Sequence, residues 1–375
     1  MSERRYAVVA GGGTAGHILP ALAVARALAA RGHERATIEM VGSRRGQEAA
    51  LLGDEGFPLT LLEGRGIARS LSPRALLDNA RAVLGLLYAS AKAIASMRRW
   101  RPAVVVAVGG YASFPAAVAA VVLRRPLVLV NVDAVPGAVN SLFGRAAAAS
   151  AVAFEGTDLP RAVVTGTPVR DEILATERDA ESSAAARRTL GVPAGRSLVA
   201  VVGGSLGARR INAAAAGLAT RWAGRADLAL FHVTGRRDYE QFAGASTPRG
   251  EGLWHEMVPY EERMALLYAA ADVMVCRAGA MTVAELTEVG VPSVLVPLPG
   301  APRDHQRANA MALVRSGAAI LVPDEDCDAE RLDATLGALL ADAGALGSME
   351  TAARKLGRPD AAERVADVVE RHARS

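Results

Sequence analysis

The sequence predicts an α/β protein built from two doubly wound parallel-sheet domains. Three observations carry this reading. Short apolar runs alternate with helical patterns along most of the chain. Those runs lack the two-residue alternation of a half-exposed strand, so they read as strands covered on both faces. A strand–glycine turn–helix unit also occurs twice: first as Tyr6–Ala10, GGGTAGH at 11–17 and a helical pattern over Ile18–Leu28. It returns as Ser197–Val202, GGSLG at 203–207 and a helix from Ala208.

The first half reads as strand Tyr6–Ala10, helix 18–30, strand Thr37–Val41, a helix at about 46–55 and helices through 74–99. Strand Ala103–Val108, a helix from Pro115, strand Leu127–Val130 and strand Ala151–Phe154 follow. TGTP at 165–168 marks a boundary. The second half repeats the scheme with strand 198–202, helix 208–220, strand 228–233 and helix 261–269. Strand 272–276, helix 281–289, strand 293–296 and helix 305–315 continue it, and an amphipathic helix over Asp360–His372 ends it. The expected organisation is domain 1–168, domain 169–357 and a terminal segment 358–375 packing back on the first domain. Ligands are expected at the carboxyl ends of the strands, in a cleft between the domains.

A chain of 375 residues is long enough for two full cores. With 51% apolar and 22% charged residues, disorder is excluded. The net charge of +4 comes almost wholly from arginine, Lys92 and Lys355 being the lysines. No arginine run is interleaved with aromatics, which argues against nucleic acid. Anionic phosphates or an anionic membrane surface account for the charge equally well. Cys276 and Cys327 form neither a disulfide framework nor a metal-spaced cluster, and Cys276 reads as a core residue. The six histidines include no His-x-x-x-His pair, so a bound zinc is not expected. The first apolar run is too short for a secretory signal, and no segment approaches the about 20 apolar residues that cross a bilayer. A soluble, cytoplasmic protein is expected.

A glycine turn opening a helix presents free N–H groups and a positive dipole end to an anion. Gly11-x-Gly13-x-x-Gly16 also satisfies the dinucleotide fingerprint. That reading wants an acid about 20 residues on, at the end of the second strand. Glu39 lies mid-strand and the tip offers Arg44 and Arg45, so NAD is disfavoured while NADP stays open. Glycines serving tight packing alone are the bland alternative. Segment 76–101 is unusual: Leu77, Val83, Leu84, Leu86, Leu87, Tyr88, Ile94 and Met97 supply apolar bulk. Arg74, Arg81, Lys92, Arg98, Arg99 and Arg101 flank it. It reads either as a core-packing helix pair with a basic rim or as a surface that lies on an anionic bilayer.

Further motifs narrow the field: GGYASFP at 109–115, PGAVN at 136–140, GTPVR at 166–170, RAGAMTVAE at 277–285 and DHQRAN at 304–309. With the two glycine turns, this ordered set resembles the MurG family of peptidoglycan N-acetylglucosaminyltransferases, from the first strand to the last helix. The resemblance implies a GT-B fold and an inverting, metal-independent transfer of GlcNAc from UDP-GlcNAc to undecaprenyl-diphosphate-linked lipid I. No cofactor is implied, UDP-GlcNAc being a co-substrate. The implied setting is the cytoplasmic face of the plasma membrane, with cell-wall assembly proteins as further partners.

By the same resemblance, Ser205, Leu206 and Gly207 receive the donor pyrophosphate, and Arg170 meets the same phosphates. Ala280 and Met281 offer amides, Glu285 holds the ribose hydroxyls, and His305 and Gln306 bond the sugar, with Asn309 structural. The acceptor diphosphate falls to Gly13, Thr14, Ala15 and Gly16, and to the turn Gly110, Tyr111 and Ser113. Ala15 stands where the family usually has glycine. His17 is a candidate base for the acceptor hydroxyl, its alternative being to position the diphosphate. One segment departs from the family: where His-Glu-Gln-Asn is common, this chain has Val130, Asn131, Val132 and Asp133. Asp133 is therefore a second candidate base, or a sign of altered substrate choice. Other lipid or natural-product acceptors, an NADP-linked oxidoreductase and a silent nucleotide-sugar binder are the rival readings.

Overall fold

The structure is a computed structural model and describes residues 4–44, 51–53, 55–63, 73–204, 207–243 and 251–374, with backbone alone at 73–81. The expected helix at 46–55 lies largely outside the described residues. The chain forms two compact units, Met1–Arg170 with Arg358–Ser375, and Asp171–Gly357.

In the first unit the strands are β1 (Ala7–Gly11), β2 (Ile38–Ser43), β3 (Leu59–Leu62), β4 (Val104–Gly109), β5 (Leu127–Asn131), β6 (Ala149–Val152) and β7 (Ala162–Val164). They pair in the order β3-β2-β1-β4-β5-β6-β7, every pair parallel. In the second unit β8 (Ser197–Val202), β9 (Leu228–Val233), β10 (Trp254–Val258), β11 (Val273–Cys276), β12 (Ser293–Leu295) and β13 (Ala319–Leu321) pair as β10-β9-β8-β11-β12-β13, again all parallel. Each order reverses once, between β1 and β4 and between β8 and β11. Those reversals are the switch points at which loops diverge and leave a crevice at the strand ends.

The strands that sequence reading missed are β3, β7, β10 and β13, the edges of the two sheets. Central strands are buried along their whole length, as in β1 and β4, and so write an unbroken apolar run. Edge strands are part-exposed and short, as in β7, and leave no such run.

Helix α1 (Ala15–Ala30) starts three residues earlier than its apolar pattern, because Thr14 already has extended N-cap geometry. Segment 76–101 is one continuous helix, α2 (Pro73–Trp100), which corrects the expected pair. Nothing inside it forces a break: no proline follows Pro73, and Gly85 alone costs only about 1 kcal/mol. Ala82, Ala89, Ala93, Met97 and Trp100 are buried, many of them in the core beside β1, β4 and β5. On the other side Leu84, Leu87 and Tyr88 are more than three-fifths exposed and Val83 nearly half. The side chains of Arg74, Leu77 and Arg81 lie outside the described residues. Helix α3 (Ser113–Val122) packs on α2, and a short α4 (Ala138–Phe143) follows β5. The terminal helix, Ala361–His372, packs on α1 in the first unit, with Arg31 bonded to Glu363 at 2.8 Å and Glu370 at 2.9 Å. Among the described residues no helix is long and apolar enough to cross a membrane.

The second unit carries α5 (Ala180–Leu190), α6 (Arg209–Arg221), α7 (Met264–Ala270), α8 (Ala280–Val289) and α9 (His305–Arg315), then α10 (Ala329–Leu340) and α11 (Ala343–Leu356). Cys276 and Cys327 are free, buried thiols, pushed up by burial to about 12 and about 11. His232 on β9 and His255 on β10 are buried with their rings stacked 6.0 Å apart. Burial drives His232 down to about 3 and His255 to about 4.

Both histidines fold as neutral rings, whereas the unfolded chain binds protons below about pH 6.5. Their stabilisation is full above that value and is lost as pH falls toward about 4. Urea unfolding of the second unit is expected to weaken by about 1.5 kcal/mol per histidine between pH 6.5 and 5. His255→Phe should halve that slope, and an unchanged slope would place the proton uptake elsewhere.

Candidate functional site

At the first switch point Gly11 of β1 lies beside Gly109 of β4. Gly109 and Gly110 have φ of +116° and +74°, which favour glycine. A Cβ on Gly110 would lie 2.0 Å from the Gly12 carbonyl oxygen, and one on Gly109 2.7 Å from His17 Cδ2. The two turns therefore close on each other with the His17 ring against both. Gly13 at φ +97° turns the chain into Thr14, and the first turn of α1 carries Ala15, Gly16 and His17, all half-buried. Ala15 takes helical geometry, so the missing glycine costs the turn nothing. The first N–H groups of a helix have no partner within it, and here they open at the strand ends.

Ser113 requires a correction. It is expected among the residues that cradle the acceptor diphosphate but is wholly buried. Its hydroxyl lies 2.7 Å from the Ala10 carbonyl and 2.6 Å from that of Gly109, and it accepts from Gly109 N–H at 2.9 Å. It fastens β1 to β4 beneath the turn and offers nothing to a ligand. Tyr111 differs: its hydroxyl is buried with no hydrogen-bond partner among the described residues, and burial raises its pKa.

The segment after β5 explains one departure from the family pattern. Asn131 donates to the Asp133 carbonyl at 2.6 Å and accepts from Gly137 N–H at 3.2 Å and from Asn140 Nδ2 at 3.0 Å. Asn140 also donates to the Val130 carbonyl at 3.1 Å. This loop needs a donor and an acceptor on one side chain, which an ionised carboxylate at position 131 cannot supply. Asp133 sits half-buried on the loop so formed.

In the second unit, the turn after β8 has Gly204 and Gly207 at φ +82° and +84°. Ser205 and Leu206 lie outside the described residues. Helix α6 then begins with Arg209 and Arg210 and has no acid in its first turn. That is the wrong sign for the positive end of a helix, and an anion at the turn would offset it. Asp324 holds Arg277 at 2.6 Å and Arg210 at 3.9 Å, linking the turns after β8 and β11.

Ala280 and Met281 form the first turn of α8, and Glu285 lies one turn on, 6% exposed. The buried Tyr268 hydroxyl donates to its carboxylate at 2.7 Å. Asn309 is buried and donates to the Ala278 carbonyl at 3.1 Å, tying α9 to the same turn. Ahead of α9, Arg303 and Asp304 both sit in the left-handed region, at φ +55° and +52°. Such strain collects where side chains must be aimed. The residues aimed are His305, whose Nδ1 donates to the Pro302 carbonyl at 2.8 Å, and Gln306, whose Oε1 accepts from Leu298 N–H at 2.9 Å. Arg170 is half-buried at the end of the first unit.

Tyr268 and Asp324 were missed by sequence reading, which had no signal for them: each meets its partner across 17 or more residues of intervening chain. Among the described residues no group of three or more His, Cys, Asp or Glu is placed to hold a metal ion. The NAD form of the dinucleotide reading loses its support. Glu39 is buried between Arg5 and Thr60, at 2.8 Å from each, and cannot serve a ribose. Arg44 is exposed beside Glu63, and Arg45 lies outside the described residues.

Comparison with known proteins agrees with this geometry. The glycosyltransferase family 28 N-terminal domain matches residues 7–152, and the C-terminal domain of that family matches 198–365. A UDP-N-acetylglucosamine–N-acetylmuramyl-(pentapeptide) pyrophosphoryl-undecaprenol N-acetylglucosamine transferase of Alkalilimnicola ehrlichii is 40% identical, over 98% of this chain and 99% of its own. One of the same name from Desulforudis audaxviator is 38% identical, over 97% of each. The crystal structure of MurG from Acinetobacter baumannii superposes with a TM-score of 0.75 at 29% identity, over 98% of this chain and 99% of that one. The glycosyltransferase of kitacinnamycin, 20% identical with a TM-score of 0.69, shares the fold.

Proposed function

The chain belongs to the MurG family within glycosyltransferase family 28, and from that premise we propose that it transfers GlcNAc from UDP-GlcNAc to the C4 hydroxyl of MurNAc in lipid I, giving lipid II. The observation that carries this reading is where the motifs fall. Both glycine turns, and the segments bearing Tyr111, Asp133, Glu285, His305 and Gln306, follow the carboxyl ends of β1, β4, β5, β8, β11 and β12, the strands at and beside the two switch points.

The second unit takes the donor. Its diphosphate lies on the Gly203–Gly207 turn, with the Ala280 and Met281 amides sharing the charge. Glu285, held by Tyr268, receives the ribose hydroxyls, and His305 and Gln306 the sugar. Departing UDP is stabilised by N–H groups and guanidinium groups, so the transfer needs no metal ion. The first unit takes the acceptor diphosphate on Gly13–Gly16 and on the Gly110–Tyr111 turn, where a phosphate oxygen would give the Tyr111 hydroxyl the partner it lacks. His17, locked against both turns, takes the proton from the attacking hydroxyl. The reaction inverts the anomeric carbon in one displacement, and no covalent nucleophile is required. Exposed Val83, Leu84, Leu87 and Tyr88 on α2, with exposed Lys92, Arg98 and Arg99, dock this unit on the anionic cytoplasmic face of the membrane.

A donor panel offered with a lipid I analogue, read as UDP release in chelator, should show turnover with UDP-GlcNAc. Glu285→Ala should weaken UDP binding about 10- to 150-fold; a folded variant with full UDP affinity refutes the ribose role. Turnover only with a different acceptor would move the chain to another lipid or natural-product pathway.

His17→Ala should lower kcat by roughly 10²–10⁴ with donor affinity nearly intact. A loss confined to acceptor KM would make His17 a positioning residue. If instead Asp133→Asn abolishes turnover and His17→Ala does not, Asp133 is the base.

Vesicles containing anionic lipid should bind the protein more tightly than neutral ones, and less so in high salt. Changing Leu84, Leu87 and Lys92 together to serine should lower vesicle binding and leave UDP affinity alone. Unaltered vesicle binding would send the exposed face of α2 back to a plain solvent-facing role.

A further inference from the structure

The turn after β8 rests on a buried carboxylate that no motif includes. Asp238, in the segment after β9, is 1% exposed. A Cβ on Gly207 would lie 2.6 Å from Asp238 Oδ2 and 2.5 Å from the Thr234 carbonyl, so the turn is packed directly on this residue. Arg237 bonds both carboxylate oxygens, at 2.8 and 3.0 Å, and its Nη2 also donates to the Gly207 carbonyl at 3.4 Å. Arg209, the first residue of α6, reaches the same carboxylate at 3.5 Å. From below, Asn212 Nδ2 contacts it at 3.5 Å and donates to the Thr234 carbonyl at 2.9 Å, while Asn212 Oδ1 accepts from His232 Nε2 at 3.1 Å.

The charges are arranged unequally. The carboxylate is buried, yet the side chains of Arg209 and Arg237 are 70% and 51% exposed. One buried negative charge thus gathers two solvent-facing guanidinium groups at the rim of a helix N-terminus. Their surplus positive charge sits where the helix dipole is also positive. An arrangement of that sign is favourable when an anion joins it. Arg237 hydrogen-bonds the carboxylate and holds the Asp238 carboxyl below the usual range, so it stays ionised throughout the neutral region.

We infer that Asp238 is a positioning residue for the donor diphosphate, fixing Arg209 and Arg237 at the rim and holding Gly207 in its left-handed turn. The inference rests on the donor reading above and adds to it residues outside the family motifs. It concerns the diphosphate alone, since nothing in the cluster addresses a base or a ribose.

The test compares UDP with uridine, which lacks the diphosphate, by calorimetry or competition on the full-length protein. Asp238→Ala should weaken UDP about tenfold and leave uridine affinity nearly unchanged, with a lowered Tm from the partners it leaves unpaired. Arg209→Gln with Arg237→Gln, both on exposed side chains, should give the same selective loss with Asp238 intact, and so decides the matter if Asp238→Ala fails to fold. Equal losses for UDP and uridine would make the cluster merely structural and overturn the inference, as would full UDP affinity in the double variant. A wild-type protein that binds uridine and UDP equally weakly overturns the donor reading itself, and the inference with it.

Discussion

The first unit is built around a contact that allows no side chain. The Gly12 carbonyl and the Gly110 α-carbon meet so closely that a Cβ would lie 2.0 Å from oxygen. Where β1 and β4 part, their loops must leave in opposite directions yet touch at their bases. Glycine at 109 and 110 permits the left-handed backbone this demands, and the buried Ser113 hydroxyl then ties the strand ends together. Helix α1 can start only where this turn delivers it, and His17 lands on the glycines because its ring fills the space their missing side chains leave. The acceptor site of the proposed function is the open side of this packed junction.

The second unit solves the same problem with charge. Gly207 closes not on a backbone turn but on Asp238 and the Thr234 carbonyl. Asp238 and Asp324 are each paired with two arginines, so carboxylates lie among guanidinium groups drawn from the turns after β8, β9 and β11. A buried carboxylate needs such partners to remain charged. Those partners in turn reach the helix end that an incoming diphosphate would use. Stability and anion affinity thus draw on the same side chains. Glu285 follows the same logic on α8, where the Tyr268 hydroxyl satisfies part of a buried acid and fixes its orientation.

The legibility of the chain followed burial. Central strands such as β1, β4, β5 and β8 were evident because both faces are covered and nearly every position is apolar. The edges β3, β7, β10 and β13 were not, because a half-exposed strand of three to five residues carries too little apolar sequence to separate from a loop. The continuity of α2 was misjudged for a related reason. Its pattern mixes residues that face the core, such as Ala89 and Met97, with apolar residues that face solvent, such as Leu84 and Leu87. Periodicity reports which faces are apolar and does not say what covers them.

By itself, the sequence determined the two-fold α/β architecture, the glycine turns and the order of motifs that places the chain in its family, since these depend on local backbone preference and on residues adjacent in the chain. Tertiary structure alone decided which polar residues support the turns and which face a ligand. Ser113 belongs to a motif read as ligand-binding and is wholly buried, while Asp238 belongs to no motif and underlies the turn after β8. Asn131 could be read as a lost carboxylate until its bonds to Asp133, Gly137 and Asn140 showed that the loop needs an amide. For Ser113 and Asp238 the deciding partner lies on another turn or strand, brought close by parallel pairing, whereas Asn131 is decided within its own loop. Hydrogen bonds across such distances leave no periodicity in the chain, because their geometry exists only once the sheet has formed.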